Sequence, residues 1–409
     1  MARPRALGDH RGGIPPVKHG QPALRLKRGH DAARAHPWVF KGDVADASDV
    51  EPGAAIVVVD AGGRFVGRGF YNPKPALCCR ILTWTDEPLD AAFFQRRLEA
   101  AAALRAQGHP QGPPTLCRLV WSEADGLPGL VVDRYGPVLV AQCLTLGMAR
   151  ARPLVTAALG RLLPDAAVFD MDDLHAAQLE GFSAALGWAG AAGPRTVRVT
   201  EAGATFEVTI GAGHKTGLYL DQRENRARLG ALARDRDVLD AFSYTAGFAC
   251  HALRAGARRA VCLESSPEAI AGARRNLELN GVAAQAEIRA ANVFDELRSF
   301  ERDGARFGAI VLDPPPFARS RSALDAAARG YKEINLRALR LLERGGSLLT
   351  FSCSHHVSDA MFENICREAA ADAGARVRVV ERLGQASDHP VLLSIPETRY
   401  LKGLHLIAL

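Results

Sequence analysis

No apolar run in this 409-residue chain approaches the roughly 20 residues needed to cross a bilayer, so no segment reads as a membrane span. The first twenty residues lack the apolar core of a secretory signal. They are basic and broken by glycine and proline, and residues 1–22 read as a flexible tail. The eight cysteines (78, 79, 117, 143, 250, 262, 353 and 366) form no C-x-x-C pair and no Cys/His zinc spacing. Without a secretory signal they read as reduced thiols of a cytoplasmic protein, six of them as small core residues. Acidic charge is scarce at one end. Residues 1–44 hold nine Lys/Arg against three Asp, a net of +6 that equals the excess of the whole chain. A basic end on a neutral body points to phosphate contacts there, most of all over residues 24–41; a solvated tail is the plain alternative for residues 1–20.

Length predicts two or three domains, and 48% hydrophobic with 23% charged residues is the composition of a soluble globular protein. Over residues 23–88 short strands (Ala55 to Asp60, Arg64 to Tyr71, Cys78 to Trp84) are separated by Gly and Pro turns, which suggests a small β-barrel. Here Lys27 and Arg28, then His36, Trp38 and Lys41, mix cations with aromatic rings. That mixture suits RNA, whose bases stack and whose phosphates need cations. The barrel core is the other place for these rings, and Phe40 suits it better than Trp38. Residues 89–200 form a central α+β region. Asp90 to Gln107 has a helical period with Phe93, Phe94, Leu98 and Leu104 as its buried side, and Pro153 to Leu163 reads as a second helix. Strands are expected at Arg118 to Ser122, Gly129 to Asp133 and Val138 to Leu146, and a linker at Ala189 to Pro194.

From residue 201 to 409 strands alternate with helices. Val238 to Phe242, Arg259 to Glu264, Ala286 to Ala290, Phe307 to Leu312 and Ser347 to Phe351 read as buried strands. Ala246 to Ala255, Pro267 to Asn280, Val293 to Phe300 and Ser322 to Leu342 read as the helices between them. The alternation predicts a doubly wound parallel sheet, with chemistry at the carboxyl ends of its strands. The first of these strands leads into Phe242, Ser243 and Tyr244, and only Gly247 resembles a glycine of the dinucleotide fingerprint. No pyrophosphate cradle is therefore present, which counts against NAD or FAD and is compatible with S-adenosylmethionine. Glu264 lies 24 residues after Asp240, where a carboxylate accepts from ribose hydroxyls. Asn292 ends the third strand and is a candidate for the adenine edge. Lys215 and Arg223 are candidates for the methionine carboxylate and Asp221 for its ammonium; a capped helix start near Asp221 is the plain alternative.

Two strand ends 40 residues apart carry Asp313, in Asp313-Pro314-Pro315-Pro316-Phe317, and Cys353, in Phe351-Ser352-Cys353-Ser354. A thiol and a carboxylate on the rim of one crevice suit methylation of a pyrimidine at C5. The thiolate adds to C6, C5 becomes enamine-like, and the carboxylate holds the base. An inert small residue at a strand end is an equal reading of Cys353.

Gly-His-Lys-Thr-Gly (213–217), Leu-Asp-Gln-Arg (220–223), Phe-Ser-Tyr-Thr (242–245), Asp313-Pro314-Pro315-x-Phe317, Ser352-Cys353-Ser354 and Gln385-Ala386-Ser387-Asp388-His389-Pro390 together resemble the bacterial large-subunit rRNA cytosine-C5 methyltransferases. The likeness extends to His36 through Phe40, Asp125 through Gly129 and Tyr400 through Gly403. It implies an N-terminal PUA-like RNA-binding domain, a central domain, and a Rossmann-like class I domain that takes S-adenosylmethionine. It also implies Cys353 as nucleophile, Asp313 as the acid that contacts the base, and Glu264 as ribose ligand. The family's acidic residue near the adenine falls on Asn292, its central basic patch on the neutral His175 to Leu179, and a common glycine on His355. Large-subunit rRNA is the expected partner, with no membrane and no metal, and a homodimer is compatible with the sequence. The rivals are a guanine or adenine amino-methyltransferase that needs no thiol, a non-catalytic ribosome-assembly factor, and, most remotely, a metal hydrolase using His355, His356 and His389.

Overall fold

The computed structural model describes residues 21–28, 36–109, 111–212, 217–318 and 320–409. The tail over residues 1–20 and the candidate Lys215 lie outside the described residues.

Six strands, β1 (Ala23–Leu26), β2 (Trp38–Phe40), β3 (Val44–Ala47), β4 (Ala55–Val59), β5 (Phe65–Tyr71) and β6 (Leu77–Thr83), form one sheet in the order β2-β6-β5-β4-β1-β3. Leu24, Leu26, Val39, Ile56, Val58, Cys79 and Ile81 fill its core. Phe40 is not among them. It is 45% exposed while Val39 is fully buried, because successive residues of a strand face opposite sides.

The central region runs α1 (Ala91–Arg105), β7 (Leu116–Trp121), β8 (Leu130–Tyr135), β9 (Val138–Cys143), α2 (Leu146–Leu162), β10 (Ala167–Met171), α3 (Leu174–Glu180) and β11 (Leu186–Trp188), with sheet order β11-β10-β9-β8-β7. The Asp90 carboxylate starts α1 by accepting from the amides of Ala92 and Phe93, each at 3.0 Å. Phe93, Phe94 and Leu98 are buried as expected, whereas Leu104 is 39% exposed. The inward position beside it belongs to Arg105, paired with Asp125. Helix α2 begins earlier than Pro153 suggests, because Thr145 caps it by accepting from the Met148 amide.

A hairpin, β12 (Thr196–Glu201) and β13 (Ala204–Thr209), leads into the last region. There follow α4 (Arg223–Leu232), β14 (Asp237–Ala241), α5 (Gly247–Arg254), β15 (Arg259–Glu264), α6 (Pro267–Leu279), β16 (Ala286–Ala290), α7 (Val293–Arg302), β17 (Phe307–Leu312), α8 (Leu324–Leu341), β18 (Leu342–Ser352), α9 (Asp359–Ala373), β19 (Val377–Gly384) and β20 (Lys402–Ala408). The sheet order is β16-β15-β14-β17-β18-β20-β19, with β14 to β18 parallel and β20 antiparallel to both neighbours. The order reverses on either side of β14, so a crevice opens at the carboxyl ends of β14 and β17.

The hairpin straddles residue 201. It docks on α6, where Asn276 and Asn280 accept from the amides of Glu207 and Thr205 at 3.1 and 2.9 Å. Leu116, Tyr135 and Phe169 of the central sheet share one hydrophobic cluster with Phe206, Leu229 and Phe248. Among the described residues, no helix is long and apolar enough to cross a membrane.

Candidate active site

All six residues of β17 are buried, and the strand delivers Asp313 to the crevice. Three prolines follow, so the loop has no amide hydrogens to form a ladder. It is anchored instead by Phe317, whose ring lies 4.6 Å from that of Tyr331, 5.9 Å from Phe294 and 6.4 Å from Phe242. The neighbouring strand β18 ends at Ser352. The next residue, Cys353, donates its thiol to the Pro314 carbonyl at 3.7 Å, directly after Asp313. Carboxylate and thiol are thus brought to one rim. The Tyr219 phenol sits among Tyr244, Asp313, Asp221 and Cys353, and burial followed by these charges pushes it up.

Cys353 differs from its seven counterparts, all of which are buried. Burial pushes Cys117, Cys143, Cys250 and Cys366 up to about 12, as inert thiols. The residues on either side of Cys353 are fully buried serines. The Ser354 hydroxyl bonds Tyr331 Oη at 2.9 Å and accepts from the Ala318 amide at 3.3 Å. Its carbonyl accepts from Lys402 Nζ at 2.7 Å and from the Val357 amide at 3.1 Å. The turn carrying the thiol is therefore fixed on both sides.

After β14 the chain turns sharply. Phe242, Tyr244 and Ala246 have φ of 65°, 49° and 59°, left-handed values that cost side-chain-bearing residues about 1 kcal/mol or more each. Hydrogen bonds hold the turn: Ser243 N donates to the Leu263 carbonyl at 3.0 Å, and Tyr244 N to Glu264 Oε2 at 2.9 Å. Glu264 Oε1 accepts from the amides of Ser265 and Ser266 at 2.8 and 2.9 Å. Gly247 is required by close approach, since a Cβ there would lie 2.9 Å from Arg226 Cδ. Beneath the turn Asp240 is 1% exposed. Burial pushes its carboxyl up to about 7; the Ala249 amide opposes this, and Asp313 and Glu264 add to it.

The other cofactor candidates divide. Asp221 is buried and accepts from Tyr400 Oη. Asn292 caps α7, its Oδ1 accepting from the Phe294 amide at 2.9 Å. Arg223 faces the central region, donating to the Leu116 carbonyl at 2.8 Å and pairing with Asp388 at 3.1 Å, a structural task. Of the RNA candidates, Lys27, Arg28 and Lys41 are exposed. Lys27 Nζ donates to the Gly42 carbonyl at 2.8 Å and Lys41 Nζ to that of Lys74 at 3.1 Å. Trp38 is half-buried and donates to Glu123 Oε1 at 3.0 Å, a contact between the first two regions. His36 lies 3.8 Å from Glu397, in the loop before β20. Among the described residues, no group of three or more His, Cys, Asp or Glu is placed to hold a metal. His389 is buried between Asp388, at 2.8 Å, and the Trp121 ring.

Tyr219, Tyr331, Tyr400 and Lys402 were not singled out from sequence. The segment Tyr400 to Gly403 was visible as a motif, but nothing in its spacing says that it reaches the β18 turn.

The chain matches the family S-adenosylmethionine-dependent methyltransferase over residues 175–402 and the family PUA-like domain over residues 24–84. A Klebsiella pneumoniae (strain 342) protein named ribosomal RNA large subunit methyltransferase I is 41% identical over 388 residues, covering 93% of this chain and 97% of that one. The chain belongs to the ribosomal RNA large subunit methyltransferase I family. An Alteromonas mediterranea protein of the same name is 39% identical, with 94% and 98% covered. In fold, the chain is similar to a Streptococcus mutans protein assigned as a SAM-dependent methyltransferase (18% identity, TM-score 0.81, 95% of this chain and 100% of that one). A methyltransferase solved with SAH gives the same identity and TM-score, with 95% and 99% covered. A member of this family is an S-adenosylmethionine-dependent methyltransferase, and the expected PUA-like and Rossmann-like regions are both present. The residues fit that cofactor. The turn after β14 offers backbone without a phosphate cradle, and the Glu264 carboxylate closes β15 beside it.

Proposed function

We propose that this methyltransferase forms 5-methylcytidine in large-subunit ribosomal RNA through a transient bond between Cys353 and C6 of the target base. One observation carries the reading: the single cysteine of eight that is not buried sits against the Pro314 carbonyl, next to Asp313. The names of the curated relatives support the RNA target. Exposed Lys27, Arg28 and Lys41 of the PUA-like region suit its phosphates, and seven buried unpaired thiols suit a cytoplasmic protein.

In this reading Phe242, Ser243, Tyr244, Gly247, Glu264, Asn292 and Asp221 line the cofactor, with Lys215 as a further candidate. S-adenosylmethionine supplies an electrophilic methyl group when bound. Asp313 orients the cytosine at N3 and its exocyclic amine. The Cys353 thiolate adds to C6 and makes C5 nucleophilic toward the methyl group that bound S-adenosylmethionine would supply, with S-adenosylhomocysteine as the leaving group. A base, such as water, then takes the C5 proton, and the electron pair of that C–H bond expels the Cys353 thiolate and restores the aromatic ring. Amino-methylation of a purine is disfavoured by Phe317: its ring is packed on Tyr331 and faces Gly330, so it is not free to clamp a base. Nucleoside mass analysis of large-subunit RNA treated with the enzyme checks the reading. It predicts 5-methylcytidine, absent with Cys353→Ala; an N-methylated purine formed equally by both proteins contradicts it.

A further inference from the structure

Lys402 opens β20 and stands opposite Ser352 in the β18 register. It is 4% exposed, as few lysines are. Its ammonium donates to two carbonyls, Ser354 at 2.7 Å and Tyr400 at 2.8 Å. Both acceptors are neutral, and among the described residues these two carbonyls are the partners of its ammonium. Asp359, the acid whose charge acts on it, is half exposed and paired with Arg399 at 2.7 Å. A buried ammonium without an anion is expensive, and two carbonyls leave its charge uncompensated. The residue bonded to Ser354 on its N-terminal side is Cys353.

We propose that Lys402 is a positioning residue that holds Cys353 as a thiolate, through an ammonium placed one peptide away from the thiol. This rests on the reading of Cys353 as nucleophile. The thiol proton leaves to solvent, to which Cys353 is partly open. Burial pushes the Lys402 ammonium below its ordinary value, and a neighbouring thiolate opposes that shift. Among the described residues, the groups acting on this pair include Asp359 from α9, Arg399 and Tyr400 before β20, Tyr331 from α8, Tyr219 before α4, and Asp313 after β17. Of the two cations, Lys402 is buried and Arg399 is exposed.

The test is the pH profile of iodoacetamide alkylation at Cys353 in the full chain, followed by peptide mass analysis. The wild-type midpoint is expected below the ordinary thiol value of about 8.5. Lys402→Met and Lys402→Gln raise it by about one unit or more, so alkylation at pH 7 slows about tenfold, and Lys402→Arg restores it. A wild-type midpoint at the ordinary value overturns the proposal whether or not the variants fold. So does an unshifted midpoint in a folded Met or Gln variant whose only change is a lower Tm. Trapping on 5-fluorocytidine RNA reads separately. Its absence beside a depressed, Lys402-dependent midpoint refutes the nucleophile and leaves the electrostatic pairing intact.

Discussion

Asp240 shows how burial, ahead of its polar and charged neighbours, sets the behaviour of one residue under the turn after β14. Its carboxyl is ordinary at 3.8 in the unfolded chain and about 7 in the fold. A folded value raised in this way contributes stability that is full below 3.8 and lost as pH rises through about 7. Asp240→Asn cannot titrate. Its unfolding free energy should gain on wild type, by on the order of a few kcal/mol, between pH 4 and 7 and stay level above that. Parallel denaturation profiles for the two proteins contradict this. Single residues were unevenly legible in sequence. Asp313 and Cys353 stood out because each follows a short buried strand, all apolar before Asp313 and largely so before Cys353, and such strands end at the crevice. Arg223 did not reveal its structural partners, Leu116 and Asp388, which lie more than a hundred residues away in sequence.

At the scale of elements, β15, β16 and β17 coincide with the expected limits; in β15 and β17 burial on both faces writes a nearly continuous apolar run, whereas the edge strand β16 alternates apolar with charged residues. The four-residue strands β1 and β3 carry no such run, and β19 is largely exposed along Val377–Gly384, so neither period nor composition marked them. The helix α9 and the antiparallel β20 were missed for a related reason, since expectation followed the strand-then-helix alternation only as far as β18. What the sequence could not show was the turn after β18, pinned by Tyr331 from α8 and Lys402 from β20. Tyr331→Phe removes the buried bond to Ser354. It should cost about 1 kcal/mol of stability and lower kcat several-fold with KM for RNA unchanged. An unchanged kcat contradicts the role given to that turn.

Across the whole molecule the three regions are bound by polar and steric contacts as well as by a shared core. Asp388, in the loop before β20, accepts from the Arg118 amide at 2.9 Å and pairs with Arg223, and Arg105 donates to its carbonyl at 2.8 Å. The PUA-like region docks on α2 where Gly147 faces Phe70, and a Cβ at Gly147 would lie 2.3 Å from Phe70 Cβ. Gly147→Ala must displace one element from the other, at about 1–3 kcal/mol. Its Tm and RNA affinity should fall while cofactor affinity holds; wild-type melting and RNA binding contradict this docking. The domain order was legible from charge and strand patterning, but these contacts between distant segments were not.

The account turns on covalent catalysis, and RNA containing 5-fluorocytidine tests it most directly. With the cofactor present, fluorine at C5 cannot leave as a proton does. Wild-type enzyme should therefore remain joined to the RNA through denaturing electrophoresis, and Cys353→Ala should not. Wild-type enzyme that methylates ordinary RNA yet forms no such adduct contradicts it.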